Sequence, residues 1–149
     1  MQQDNQITIF GNVGTTVDYR DVNGIPRAIF RMGSTPSVRD WAGGGWRDLE
    51  TVWISVKVFR TLATNVSNSI KKGDPVVVTG RIRNDVWEDK NGEKRERFVL
   101  EASLVAHDLN RGASSFRRVD RTVTLAAPSP EDRDVLDSLE KSAASAPAA

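Results

Sequence analysis

Apolar and polar residues alternate along five stretches of the chain, as they do in strands that bury one face. The predicted strands cover residues 6–13, 27–32, 51–59, 76–87 and 95–106. Between the third and fourth strands the period changes, because Leu62, Val66 and Ile70 recur every four residues. That spacing predicts one short helix, and Gly73 is placed to end it.

Turn sequences separate these elements. Residues 21–24 and 89–92 are typical of turns, and residues 33–50 form a long polar stretch in which Gly43, Gly44 and Gly45 suit a flexible hairpin tip. Three strands, one short helix and two strands predict an all-β fold, namely a five-stranded OB-fold barrel with the helix between strands 3 and 4. The pattern alone also fits a different small barrel.

The core pattern stops after Arg111. We therefore predict one OB-fold domain over residues 1–112 and a C-terminal extension over residues 113–149. In the extension we expect a short strand at 121–125, one weak helix at 134–141, and otherwise a mostly disordered tail, because Ala, Ser and Pro dominate from Ala126.

Strand periodicity separates a core face from an outward face in the last three strands. The residues expected to face the core are Ile54, Val56, Val58, Val76, Val78, Gly80, Ile82, Val86, Phe98, Leu100, Ala102 and Leu104, with Asn84 in the same register. The residues expected to face outward include Trp53, Ser55, Lys57, Phe59, Arg81, Arg83, Trp87, Arg95, Arg97, Val99 and Glu101. Aromatic and basic side chains therefore recur together outside the predicted core.

This combination suits single-stranded nucleic acid, because aromatic rings stack on any base and cations neutralise the phosphates between the bases. The candidate base-stacking residues are Trp53, Phe59, Trp87, Trp41 and Trp46. The candidate phosphate-binding residues are Lys57, Arg81, Arg83, Arg31, Arg95, Arg97, Lys71 and Lys72. Duplex DNA hides its base faces, so we expect a preference for single strands.

Composition limits the alternatives. The net charge is only +1, so a basic surface has to come from clustering rather than from total charge. There is no cysteine, no apolar run of about 20 residues and no signal-peptide pattern, and we expect a cytoplasmic, nucleoid-associated protein. The acidic residues are scattered and no GxxxxGK loop occurs, so we expect no enzyme, no metal and no cofactor. His107 has no evident partner in the sequence.

The chain resembles the bacterial single-stranded DNA-binding protein (SSB) family over roughly residues 6–110, most specifically over 70–92. Shorter matching segments are Ile9-Phe-Gly-Asn-Val13, Ala28-Ile-Phe-Arg31 and Trp53-Ile-Ser-Val-Lys-Val-Phe59. The resemblance implies that Trp53, Phe59 and Trp87 stack on bases and that Trp41 or Trp46 supplies a fourth position. It also implies a homotetramer wrapped by DNA, with roles in replication, recombination and repair.

The likeness is to an actinobacterial-type paralogue. Family members usually end in an acidic tip that closes with Pro-Phe and recruits other proteins, whereas this sequence ends Ala146-Pro-Ala-Ala149. We therefore expect no partner recruitment through such a tip. In some actinobacterial relatives an extra C-terminal strand braces the tetramer, and residues 121–125 are the candidate for it here.

Two other functions fit the same face. An RNA-binding or primosome-type OB module would use the same aromatic rings, because stacking need not sense the 2′-hydroxyl. An OB-fold protein-interaction module would bury the rings against another protein.

Overall fold

The computed structural model describes residues 3–120. Along the chain the elements are β1 Gln6–Val13, β2 Asp18–Val22, β3 Ile25–Ser34, β4 Ser37–Asp40, β5 Gly45–Asp48, β6 Val52–Phe59, α1 Arg60–Ser69, β7 Pro75–Glu88 and β8 Lys94–His107. They form two compact units. Among the described residues, one unit contains residues 3–85 and 98–114, and the other contains residues 86–97 and 115–120.

Five strands form a closed ring, which confirms the predicted OB fold. Neighbouring strands follow in the order β1, β7, β8, β6, β3, and β3 pairs again with β1. Asn12 is where β1 changes partner, since it lies opposite both Pro75 of β7 and Gly33 of β3. The β6–β8 pairing is parallel, with Ser55 opposite Val99.

The core lies on the predicted face of β6 and β7. Its buried side chains are Val13, Ala28, Phe30, Met32, Ile54, Val56, Val58, Ala63, Val66, Ile70, Val76, Val78 and Leu100. Burial of one large apolar side chain contributes about 1.5–3 kcal/mol, so alternate apolar residues are enough to fix which face of a strand turns inward. The opposite faces of β6 and β7 are thereby left to carry polar and aromatic groups.

The helix ends earlier than predicted. It stops at Ser69, and Ile70 is already extended at φ −99° and ψ 134°, although its side chain stays in the core. Gly73 adopts a left-handed φ of +96°, and its N–H donates to the Val13 carbonyl at 2.8 Å. Gly73 therefore turns the chain into β7 rather than capping the helix.

The predicted facing of β8 is partly wrong. Phe98 and Leu104 were expected in the core but are 65% and 50% exposed, whereas Val99 was expected outside and is buried. Two successive exposed residues, Ser103 and Leu104, shift the alternation, so that Val105 is the next residue to pack on the core. Val99 is buried on the outer face opposite Ser55, where the sheet is not open to solvent.

Two hairpins extend the ring. The sequence reasoning missed β2, which pairs with β3 through a tight turn whose central residues, Asn23 and Gly24, have φ values of 53° and 80°. An Asn-Gly pair with both φ angles positive is typical of a two-residue hairpin turn. The predicted hairpin within residues 33–50 is confirmed as β4 and β5, and the predicted turn at 89–92 is confirmed by the Gly92 N–H to Asp89 carbonyl hydrogen bond.

The predictions for the C-terminal extension fall largely beyond the described part of the chain. The strand at 121–125, the weak helix at 134–141 and the disordered tail lie outside residues 3–120. The domain boundary at residue 112 stays a prediction. Within residues 3–120, no helix has the length and apolar character needed to cross a membrane.

Candidate nucleic-acid interface

Trp53 stands on the outer face of β6, as its place in the alternation predicts. It is 53% exposed, between the buried Ile54 and the exposed Val52. The guanidinium carbon of Arg31, on the neighbouring strand β3, lies 5.4 Å from the centre of the indole. A half-exposed ring beside a cation provides both a stacking surface and a phosphate ligand.

The β4–β5 hairpin presents two more tryptophans. Trp41, at the turn, is 85% exposed, and Trp46 on β5 is 76% exposed. Arg39 lies opposite Trp46 in the strand register, and its guanidinium carbon is 5.0 Å from the centre of the Trp41 ring. The hairpin therefore repeats the pairing of an indole with an arginine.

Trp87 belongs to the second compact unit and is half-buried there. The guanidinium carbon of Arg97 lies 5.4 Å from its ring centre. Arg95 in the same unit donates to Asp89 at 2.9 Å and to Glu93 at 3.1 Å. That Trp87 and Trp53 face one common groove stays a prediction from strand periodicity.

The remaining aromatic residues differ in exposure. Phe59 is half-buried at the end of β6, opposite the buried Arg27 of β3. Phe10, which the sequence reasoning did not single out, is exposed on the outer face of β1 opposite Val77. Its signal was present in the sequence, because Ile7 and Ile9 alternate with it and turn inward.

Arg81 and Arg83 point outward from β7, as predicted, and both lie in exposed ion pairs. Arg81 Nε is 3.3 Å from Asp4 and Arg83 Nε is 2.7 Å from Glu101. Exposed pairs of this kind stabilise a fold by at most about 1 kcal/mol, so either guanidinium can exchange its carboxylate for a phosphate. Lys71 and Lys72 are exposed just beyond the end of α1.

Lys57 is placed differently from the other candidate phosphate ligands. It lies on the outward face of β6, but its side chain is buried and its ammonium donates to Asp85 Oδ2 at 2.7 Å. Lys57 is therefore already paired with Asp85 in this structure, which its outward position in the alternation did not predict. Alternation predicts which face a residue takes, but it does not predict what covers that face.

His107 has the partners that the sequence reasoning did not find. Its Nε2 is 3.2 Å from Asp74 Oδ2 and its Nδ1 is 2.7 Å from Ser114 Oγ. The pKa of Asp74 is held below its usual value of 3.8, first because the Lys71 backbone N–H donates to it and also because of His107. Among residues 3–120 no three metal-ligating side chains come together.

Comparisons with known proteins find a matching family and similar sequences. A profile of the Single-strand binding protein family matches residues 4–108. Single-stranded DNA-binding protein 1 of Streptomyces coelicolor is 40% identical over 124 residues, which cover 82% of this chain and 78% of that protein. The single-stranded DNA-binding protein of Corynebacterium glutamicum is 35% identical over 79% of this chain and 53% of its own length.

Solved structures show the same fold. The small single-stranded DNA-binding protein from Streptomyces coelicolor superposes with a TM-score of 0.66 at 37% identity, covering 76% of this chain and all of that one. The Plasmodium falciparum SSB, solved in complex with single-stranded DNA, gives a TM-score of 0.63 at 20% identity and covers 72% of this chain and 97% of that chain.

Proposed function

Because the chain belongs to the single-strand binding protein family, we propose that it binds and protects single-stranded DNA without sequence preference during replication, recombination and repair. The observation that carries this proposal is the repeated pairing of an exposed or half-exposed indole with an arginine. Trp53 pairs with Arg31 and Trp41 pairs with Arg39. The family is one of DNA-binding proteins, and we assign the chain no catalytic reaction.

The interaction energies favour replacement of the arginine by a DNA base on the surface of each ring. A guanidinium over an exposed ring contributes about 0.5–1 kcal/mol, whereas stacking of one base contributes about 1–3 kcal/mol. A base that takes the ring surface therefore gains more than the protein loses. The displaced arginine is left next to the adjoining phosphate, where a planar guanidinium can bind two oxygens.

We assign base stacking to Trp53, Trp87, Phe59, Trp41 and Trp46. We assign phosphate contacts to the basic residues that reach solvent or lie over a ring, namely Arg31, Arg81, Arg83, Arg95, Arg97, Lys71 and Lys72. Lys57 leaves this set because Asp85 already neutralises it. Stacking depends on the flat face that every base shares, which explains why no sequence preference is expected.

A homotetramer acting in the cytoplasm at the nucleoid is part of the proposal. The family resemblance supports the tetramer, and two exposed apolar side chains, Phe10 on β1 and Leu104 on β8, offer surface for contacts between copies. We expect the predicted strand at residues 121–125 of the C-terminal extension to brace this tetramer.

A fluorescence titration with oligo-dT at two salt concentrations tests the function. The chain has four tryptophans, so base stacking should quench the intrinsic emission strongly. The affinity should fall with salt, with a slope of about −0.7 for each phosphate contact. Emission that saturating oligo-dT leaves unchanged would contradict the proposal and favour a protein-interaction module.

Competition with oligo-U separates DNA from RNA. We expect oligo-U to displace labelled oligo-dT only at higher concentration. Equal displacement by the two oligonucleotides would favour the RNA-binding alternative.

A further inference from the structure

Two glycines beside Trp53 have no conformational reason to be glycine. Among the described residues, the glycines with left-handed φ are Gly24, Gly44, Gly73 and Gly92, so neither Gly14 nor Gly33 belongs to that set. Gly33 also lies inside β3, where glycine weakens a strand because it offers no side chain to pack. The reason for glycine at both positions must therefore be the space around it.

That space is occupied by the indole of Trp53. A Cβ added to Gly14 would lie 2.4 Å from Cζ3 of the ring and 3.2 Å from Cη2. A Cβ added to Gly33 would lie 3.1 Å and 3.2 Å from the same two atoms. Carbon atoms in good contact are about 3.5–4.0 Å apart, so a methyl group at Gly14 overlaps the six-membered ring, whereas one at Gly33 presses on the ring and also on Thr51 Cγ2 at 3.2 Å.

The backbone holds these positions firmly. Gly33 lies directly opposite Trp53 in the β3–β6 register. The Gly14 N–H donates to the Arg31 carbonyl at 2.7 Å, which ties the end of β1 to β3, and the side chain of the same Arg31 lies over the indole. The ring therefore rests on backbone that cannot easily move away from it.

From this geometry we propose that Gly14 and Gly33 are positioning residues that form a seat for Trp53, so that the indole is held ready to stack before DNA arrives. The inference rests on the proposed function, because it matters only if Trp53 stacks on a base. A preorganised ring loses less side-chain freedom on binding, and this loss normally opposes association. A side chain at either glycine should displace the ring without touching DNA itself.

The first test needs no DNA. In a chain whose other three tryptophans are replaced by Phe, acrylamide quenching reports the accessibility of Trp53 alone. We expect Gly14→Ala to increase the quenching constant because the ring is lifted from its seat. Gly112→Ala is the matched control, since a Cβ there meets no atom within 4 Å and its φ is not left-handed. Equal quenching in the two variants would overturn the inference.

The second test is a double-mutant cycle for oligo-dT affinity. Loss of one stacked base corresponds to about 5- to 150-fold weaker binding. We expect Gly14→Ala to fall within this range without exceeding the loss caused by Trp53→Ala. In the Trp53→Ala background the same glycine substitution should change affinity less than twofold. Additive losses would overturn the inference, because Gly14 would then act independently of the ring.

Folding of the variants is informative as well. If the Gly14→Ala protein is unfolded but the Gly14→Ala, Trp53→Ala double variant is folded, the clash between the added methyl group and the ring is supported. If both proteins unfold, Gly14 serves the backbone and the inference is wrong. The proposed function fails separately, namely if the unmodified protein does not bind oligo-dT, and the quenching test without DNA still reports on the seat.

Discussion

The buried ion pair on β6 and β7 allows a sharp test of the energetics, through removal of its acidic partner. The Lys57 side chain is 6% exposed and the Asp85 side chain 21%, and their charged atoms are 2.7 Å apart. Removing one member of a fully buried pair costs about 3–5 kcal/mol. Because water still reaches part of Asp85, we expect Asp85→Ala to lower the free energy of unfolding by about 2–4 kcal/mol.

Removal of the lysine should lower the free energy of unfolding much less than removal of the aspartate. Lys57→Met removes the buried charge and fills a similar volume, and the carboxylate that remains can be hydrated. We expect a cost below about 1.5 kcal/mol. Asp4→Ala is the matched surface control. Asp4 lies 3.3 Å from Arg81 Nε, both side chains are exposed, and such pairs contribute about 0–1 kcal/mol.

Urea unfolding at one fixed protein concentration measures all three variants, since assembly would otherwise change the apparent stability. With a slope of about 1–3 kcal/mol per molar urea, a loss of 3 kcal/mol lowers the midpoint by about 1–3 M. The reasoning is refuted if Asp85→Ala shifts the midpoint no more than Asp4→Ala, or if Lys57→Met is the more damaging change.

Three further predictions concern binding and pH. Trp87→Ala should weaken poly-dT binding by about 1–3 kcal/mol in a fluorescence-independent filter assay, and unchanged affinity would reject its stacking assignment. Arg81→Ala should flatten the plot of log affinity against log salt by about 0.7, whereas Lys57→Met should leave that slope unchanged, and equal slopes for both would remove Arg81 from the interface. Asp74→Asn should cost about 0.5–1.5 kcal/mol in urea unfolding at pH 7. Because the pKa of Asp74 is lowered on folding, its contribution is complete above the unfolded value of 3.8 and is lost as the pH falls through the folded value, so a cost that stays constant as the pH is lowered below 3.8 would contradict the prediction.

Much of the fold and part of the site could be predicted from the sequence. In β6 and β7, large apolar residues occupy every second position, so burial fixes their facing and correctly turns Trp53 and Arg81 outward. In β8 the alternation failed for Leu104, because two successive exposed residues, Ser103 and Leu104, changed it partway along the strand. Such a shift depends on how the neighbouring strands pair, which local sequence does not encode.

Other features needed the tertiary structure. The burial of Lys57 depends on Asp85, which is 28 residues away in the chain. The partners of His107 come from Asp74 and Ser114, which no local motif connects to it. The hairpin of β2 and β3, in contrast, had a recognisable Asn23-Gly24 signal that was interpreted only as a turn.

The double pairing of β1 has a consequence for how the chain folds. Gln6 lies opposite Arg81, so the ring cannot close until residues 75 positions apart have met, and β6 joins β8 only when Val99 is present. Contacts so distant in sequence form slowly, typically within milliseconds to seconds for all-β domains. During synthesis β1 therefore leaves the ribosome before its main partner β7 has been made. In that interval the unpaired edge of β1 and the exposed Phe10 can pair with other nascent chains.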